Sequence, residues 1–484
     1  MTNSNNSNSL NNSNNKISFG TDGWRSIIAD GFTFSNVRKA STAIGRLILN
    51  NNNKDYPVLV GYDTRFLAND FADECAQTLY SLGLKVEVSK YIIPTPAIAF
   101  WTCKSPNKTN GAIQFTASHN PPKYCGLKYI TSYGGPAPIE MTNEITKYLN
   151  DQQSLPASNS SPAIPIPIFD PKESYFNHLK QLINFDVIKS ANLKVVYDPL
   201  YGAGNGYVDI LLTMANCNTI AIHNKRDPLF GGLLPEPKEE FLHDLKASVI
   251  SNKAIVGLAT DGDADRLAAI DSDGTFFSPN KIASMLLRHL VKNKKLSGSV
   301  VRTLSTTHLM DHLAKKYNLN IIETPIGFKW ICEQMIKTSV LIGAEESGGI
   351  SILNHIPDKD AILASMLLVE MLSYEKKGLK EIFNDTLKDA EWSCINDRFD
   401  LHINDTQKEH LITQLQNNKI KECEGLKVLS VNTTEGAKYV FEDGSWFLAR
   451  ASGTEPMARV YFEATSNKML NAMKESIREL LPTV

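Results

Sequence analysis

Three aspartates alternate with small residues in DGDADR, residues 261–266, between the apolar runs AIVGLAT and LAAID. Asp261, Asp263 and Asp265 can converge on one hard cation, and a small oxygen-only ligand set suits Mg2+ over zinc. An EF-hand loop needs glycine at its sixth position and glutamate at its twelfth. Here those positions are Arg266 and Ser272, so that reading fails, and a solvated acidic turn is the plain alternative. Ser118 stands in TASHNPPKYCGLKY (116–129), directly after the apolar run GAIQF. A serine hydroxyl is a poor nucleophile without a base or metal beside it. His119 and Lys128 are near in sequence, but loop neighbours need not face one point, and Asn-Pro-Pro with Gly126 also makes an ordinary turn.

Two further segments suit sugar and phosphate. In GAEESGG (343–349), Glu345 and Ser347 are two apart, so in extended backbone both point to one side and can grip adjacent hydroxyls. Lys329 in PIGFKW and Lys359 in HIPDKD add positive charge to the same region, although single lysines are usually surface residues. In RASGTEPMAR (450–459), Ser452, Gly453 and Thr454 offer N–H groups and hydroxyls in a tight turn between Arg450 and Arg459. That is a cradle for an anion, with guanidinium groups able to bind it bidentately. It lacks the Gly-Lys-Ser/Thr of a P-loop, and a simple hairpin is the alternative.

Positioning such loops requires rigid elements. YPVLVGYDT reads as a strand, FADECAQTLYSLG as a helix ended by Gly83, and LKVEVSKY as the next strand. This alternation predicts an α/β unit with a mostly parallel sheet. It resumes in LKVVYDPLYGAGNGYVDILL, as strand, glycine-rich turn and helix, and again from the helix SPNKIASMLLRHLVKN. AILASMLLVEML (361–372) carries Glu370 and is too short to span a bilayer, so it reads as a buried helix. The last section groups the strands KYVFED, SWFLAR and ARVYFEA before a terminal helix, which is an α+β pattern. The predicted division is an Asn/Ser tail at 1–15, units at 16–150, 170–277, 278–388 and 389–484, and a Pro/Ser-rich linker at 151–169. The tail cannot bury enough apolar surface to offset its ordering entropy and is expected to be disordered.

The chain has 484 residues, too many for one ordinary core, with 42% hydrophobic and 21% charged residues, as in a folded soluble protein. A net charge of −2 gives no case for binding nucleic acid or an anionic membrane. The seven cysteines are scattered and never in CxxC spacing, which argues against zinc and a disulfide framework and predicts a cytoplasmic setting. No basic segment followed by an apolar one opens the chain, so no signal or transit peptide is expected.

Taken in order, FGTDGWR (19–25), TASHNPP, DGDADR, GAEESGG and RASGTEP resemble the motifs of the α-D-phosphohexomutase superfamily, the phosphoglucomutase and phosphomannomutase enzymes. The resemblance runs from about residue 17 to the C-terminus. It implies four domains around a central cleft, three related α/β units with mixed sheets and a C-terminal TATA-box-binding-protein-like α+β domain. It implies Ser118 as a phosphorylated serine, and Mg2+ held by Asp261, Asp263, Asp265 and a phosphoserine oxygen. Arg25, His119, Lys128 and Arg266 would surround the reacting phosphate. Glu345 and Ser347 would take sugar hydroxyls, and Arg450, Ser452, Gly453, Thr454 and Arg459 the distal phosphate, with Lys329 and Lys359 as helpers.

The implied reaction interconverts glucose 1-phosphate and glucose 6-phosphate through glucose 1,6-bisphosphate, with mannose phosphates as further substrates, in a monomer or homodimer; phosphomannomutase and phosphoglucosamine mutase are the alternatives. Phosphoglucosamine mutases commonly carry glutamine where this chain has Glu346, which lowers that alternative. A non-catalytic binding protein and a metal-dependent phosphatase are the other classes, and the intact serine, aspartates and arginines argue against the first. Two letters depart from the common pattern. Ser26 replaces glycine after GWR, and Cys125 replaces asparagine, which predicts an oxidation-sensitive loop.

Overall fold

A computed structural model describes residues 17–20, 23–51, 54–151, 165–451 and 457–481. The Asn/Ser tail, most of the predicted linker, and Ser452, Gly453 and Thr454 lie outside the described residues. The chain divides into two compact units, one of residues 1–282 and 347–379, the other of 283–346 and 380–484.

The first unit holds two sheets. One has strand order Trp24–Ile27, Tyr124–Ile130, Ala112–Phe115, Val58–Tyr62, Val86–Ser89, Ile168–Phe169. Its four later members are parallel, and the first two pair antiparallel. Central strands such as VLVGY are apolar without alternation because helices cover both faces. Trp24 stacks on Phe32 with ring centroids 4.4 Å apart, and Phe32 meets Phe71 edge-on, which fixes the strand carrying Arg25 to the core. The second sheet runs Phe276–Phe277, Leu267–Asp271, Val256–Thr260, Lys194–Asp198, Asn218–Ala221. Thr260 pairs with Leu267, so DGDADR is the whole loop of an antiparallel hairpin.

The helix Ala361–Glu375 is apolar on every side and nearly all buried, as predicted for AILASMLLVEML. Asp360 caps it, its carboxylate accepting from Leu363 N at 2.9 Å. It packs on the helices Phe185–Ala191 and Val208–Met214, which is why residues 347–379 group with the first unit.

The second unit contains the parallel strands Ile321–Thr324, Ser299–Thr303 and Val340–Ala344, in that spatial order. Its other sheet is antiparallel, ordered Ile395–His402, Met457–Ala464, Trp446–Ala451, Ala437–Phe441, Leu426–Asn432, Glu422–Cys423. The helices Asp405–Gln416 and Asn467–Arg478 accompany it, as the α+β pattern predicted. Fully buried Glu463 accepts from Trp446 Nε1 at 2.9 Å, Asn396 Nδ2 at 2.6 Å, His308 N at 2.8 Å and the Thr307 hydroxyl, joining the two sheets of this unit. Mixed sheets followed by an antiparallel one agree with the predicted fold class.

Candidate active site

Ser118 follows the strand Ala112–Phe115 and is fully buried, with φ 50°, a left-handed conformation costly for a residue with a side chain. The cost is met by hydrogen bonds around it. Ser118 N donates to Thr116 Oγ1 at 2.9 Å. The fully buried guanidinium of Arg65 donates to four loop carbonyls, of Ser118 (2.6 Å), Asn120 (2.8 Å), Tyr124 (2.9 Å) and Pro121 (3.0 Å). Its Nε lies 3.3 Å from Asp63 Oδ2, and its own N–H donates to Asp63 Oδ1 at 2.9 Å. Burial raises the Asp63 carboxyl to about 6, with Arg65 opposing the rise. Arg25 Nη1 donates to Asn120 Oδ1 at 2.7 Å, holding the same loop from the neighbouring strand.

Ser118 Oγ donates to Asp261 Oδ2 at 2.7 Å. The other oxygen of Asp261 accepts from the backbone N–H groups of Asp265 (3.0 Å) and Arg266 (3.2 Å), which aims the carboxylate at the serine. Gly262 permits this approach, because a Cβ there would stand 2.6 Å from Ser118 O. Asp263 Oδ2 accepts from Thr95 Oγ1 at 2.6 Å and Lys128 Nζ at 2.8 Å. Asp265 Oδ2 accepts from Lys128 at 3.1 Å and lies 3.4 Å from Lys359 Nζ. Burial and the neighbouring charges of Asp265 and Asp263 push the Asp261 carboxyl well above its ordinary range. At Asp263 burial acts in the same direction, but Lys128, Thr95 and Lys359 outweigh it and hold that carboxyl below its usual range.

The three carboxylates fit a hard divalent cation. One oxygen from each lies within 4.8 Å of the others, all are buried, and Oδ1 of Asp263 and of Asp265 accepts no hydrogen bond from the described residues. Lys128 and Lys359 offset part of the negative charge.

The first unit thus brings Arg25, Ser118, His119, Lys128, the three aspartates, Arg266 and Lys359 to one place. His119 Nδ1 is 3.4 Å from Ser118 Oγ, a long contact beside the 2.7 Å one that Ser118 makes to Asp261. Lys128 is on the strand Tyr124–Ile130, so the loop proper is only 116–123. Ser347 opens a segment in which Gly349 bridges to Arg266 and Gly348 O accepts from Leu267 N at 3.2 Å, setting it against the aspartate hairpin.

Lys329, Glu345, Arg450 and Arg459 belong to the second unit. Lys329 Nζ stands 5.0 Å over the Trp330 ring, and buried Glu345 directly follows the strand Val340–Ala344. Arg450 and Arg459 are direct cross-strand partners on the strands Trp446–Ala451 and Met457–Ala464. Like charges so placed repel, and an anion between them relieves the repulsion.

The expected oxidation-sensitive Cys125 is corrected by its surroundings. It is fully buried in the core of the first sheet, and burial, with Asp63 beside it, pushes its thiol far up, away from the reactive thiolate. Asp63, Arg65 and Thr95 are site residues that the motif reading did not single out. For the first two the signal was DTR directly after the apolar run VLVGY, at the same end of the sheet as Ser118.

Four family domains match the chain in order. They are the phosphoglucomutase/phosphomannomutase alpha/beta/alpha domain I at residues 16–155, domain II at 173–274, domain III at 278–390 and the C-terminal domain at 411–480. A crystal structure of a candidate phosphomannomutase from Thermus thermophilus superimposes with a TM-score of 0.83 at 32% identity, over 96% of this chain and 98% of that one. The chain belongs to the α-D-phosphohexomutase superfamily. Phosphohexomutases are isomerases, intramolecular phosphotransferases. This one is 29% identical over 450 residues to a phosphoglucomutase/phosphomannomutase of Thermococcus kodakarensis, covering 93% of this chain and 95% of that protein. It is also 29% identical over 468 residues to a phosphoglucosamine/phosphogalactosamine mutase of Sulfurisphaera tokodaii, covering 96% and 98%. Among the described residues of this phosphohexomutase, no helix is long and apolar enough to cross a membrane.

Proposed function

We propose that this phosphohexomutase interconverts glucose 1-phosphate and glucose 6-phosphate, with mannose phosphates as secondary substrates. Phosphoserine 118 gives its phosphoryl group to the sugar, forming glucose 1,6-bisphosphate, and regains one from the other end of that intermediate. The observation that carries this reading is the 2.7 Å contact between Ser118 Oγ and Asp261 Oδ2, in a buried group of three carboxylates.

Asp261, Asp263, Asp265 and a phosphoserine oxygen would hold Mg2+, which when bound neutralises charge and polarises the P–O bond. The chain's own residues do the rest. Sugar phosphate and phosphoserine each carry close to two negative charges, so cations must lie between them. Lys128, Lys359, Arg25 and Arg266 supply that charge around Ser118, and Arg65 fixes the loop so that alignment is prepaid in the fold. Glu345 and Ser347 take the sugar hydroxyls, with Lys329 as a helper. The Arg450, Ser452, Gly453, Thr454 and Arg459 turn takes the phosphate not being transferred. Because the bisphosphate must reverse, this cradle accepts the phosphate of either end.

Glucose and mannose differ only at C2, and grips on O3 and O4 do not separate them. Phosphoglucosamine mutase is the second reading, favoured by the Sulfurisphaera tokodaii relative. Against it stands Glu346, whose carboxylate accepts from Ser305 Oγ at 2.8 Å, where glucosamine enzymes commonly have glutamine. Coupled assays with the 1-phosphates of glucose, mannose and glucosamine, with Mg2+ and catalytic glucose 1,6-bisphosphate, decide it. The highest kcat/KM is expected for glucose 1-phosphate, and a preference for glucosamine 1-phosphate would replace this assignment with the second.

A further inference from the structure

A cavity of about 270 Å3 lies in the first unit, and neither Ser118 nor any of the three aspartates lines it. Its walls come from segments that follow five strands, at Thr64, Tyr91, Lys172, Tyr201 and Arg226. Open α/β sheets place ligands at this carboxyl end of their strands. The roles proposed above make no use of it.

Its chemistry is that of an anion site with an aromatic side. Lys172, Lys225 and Arg226 stand on the wall against a single carboxylate, Asp170. Lys172 Nζ lies 4.7 Å over the Tyr207 ring, and the Tyr201 ring stacks on His223 with centroids 4.7 Å apart. Thr64 is only 3% exposed, yet its hydroxyl has no hydrogen-bond partner among the described residues. A buried hydroxyl without a partner, on a wall it shares with three cations, is a polar group that a ligand reaching it would satisfy.

The cavity also adjoins the loop that carries Ser118. Arg226 Nε and Nη2 reach the carbonyls of Thr64 and Arg65 at 3.4 and 3.5 Å, long contacts that shorten when an anion in the cavity holds the same guanidinium in place. Arg65 in turn holds Ser118 O at 2.6 Å. We propose that this cavity binds a small phosphate ester of sugar-phosphate size, and that the bound ester tightens the Ser118 loop through Arg226 and Arg65. The phosphate lies against Lys225, Arg226 and the Thr64 hydroxyl, and the remainder of the ester lies along the tyrosine rings. The volume falls just under the range of about 300 to 1,000 Å3 usual for small-molecule pockets, which favours a sugar phosphate over a nucleotide. Binding there is independent of the mutase reading; only an effect on turnover rests on Ser118 as the phosphoryl carrier.

The test titrates the full chain with inorganic phosphate, fructose 6-phosphate and AMP by calorimetry, in parallel with amide hydrogen exchange over residues 116–126. Wild type, Lys225→Ser/Arg226→Ser, Lys225→Glu and Arg450→Ala are compared. Fructose 6-phosphate is expected to bind most tightly, to slow exchange in the loop, and to lose about tenfold or more in affinity in both Lys225 variants while Arg450→Ala leaves it unchanged. Lys225 is an exposed residue, so its charge reversal keeps the test open if the double variant folds poorly. Unaltered binding in Lys225→Glu, or binding lost in Arg450→Ala, would overturn the site. Inorganic phosphate or AMP binding as tightly as fructose 6-phosphate would overturn the sugar-phosphate assignment. Binding without slower exchange would overturn the coupling.

Discussion

Arg65 Nη2 lies 2.6 Å from the carbonyl oxygen of Ser118, and the same buried guanidinium holds three more carbonyls of that loop. A planar fork with five donors suits this task, and an ammonium with three does not. Arg65→Lys is therefore expected to fold, with kcat lowered about 100-fold by a misplaced serine. Arg65→Met leaves Asp63 a buried carboxyl without its partner and the loop carbonyls without their donor, and should lose about 3 to 5 kcal/mol in denaturant unfolding. Wild-type kcat in Arg65→Lys would show that the clamp does not position the loop.

Gly262 brings the aspartate hairpin against the serine loop. Its substitution by alanine puts a Cβ 2.6 Å from Ser118 O, against backbone that cannot swing aside. The loops must separate, so Gly262→Ala should lower kcat about 100-fold while costing only about 1 to 3 kcal/mol of stability. Steady-state kinetics beside thermal unfolding separates the two effects. Parallel loss of both would indicate general misfolding instead.

The motif loops were legible because each concentrates residue types with few other uses. Three alternating aspartates and a serine before Asn-Pro-Pro announce themselves. The strand and helix alternation was equally plain, and AILASMLLVEML proved to be the buried helix its composition predicted. Arg65 and Thr95 were not legible, because an arginine or threonine after a strand usually faces water. Only the register that sets Val58–Tyr62 beside Ala112–Phe115 turns Arg65 under the serine loop. Cys125 was misread for the same reason, since a motif quoted as a loop ends as a strand whose alternate side chains enter the core.

Arg450 and Arg459 face each other across two strands of the last sheet. An anion there offsets the repulsion between them. Arg450→Ala should raise KM for glucose 1-phosphate about tenfold or more with a smaller effect on kcat, and should not lower the melting temperature. A fall in kcat with KM unchanged would place Arg450 at the reacting phosphate instead.

His178 lies 3.1 Å from His355, which binds Asp360 at 2.7 Å, the cap of the buried helix. Burial, with His355 and Lys104 adding to it, lowers the His178 imidazole to about 4. The folded state therefore prefers neutral His178, whereas the unfolded chain takes up the proton below about 6.5. This contribution is complete above about pH 6.5 and is lost as pH falls toward 4, by about 1 kcal/mol at pH 5 after allowance for partial exposure. Unfolding curves at pH 7 and pH 5 should differ less in His178→Asn than in wild type. An equal difference would remove His178 from the acid sensitivity.

The central claim is that Ser118 carries the phosphoryl group. The direct measurement is to incubate the protein with Mg2+ and glucose 1,6-bisphosphate labelled with 32P, isolate the labelled peptide, and chase the label with glucose 1-phosphate. Label is expected on Ser118, transferred to sugar at least as fast as kcat, and none in Ser118→Ala. Label on another residue, label that fails to chase, or full turnover by Ser118→Ala would contradict it.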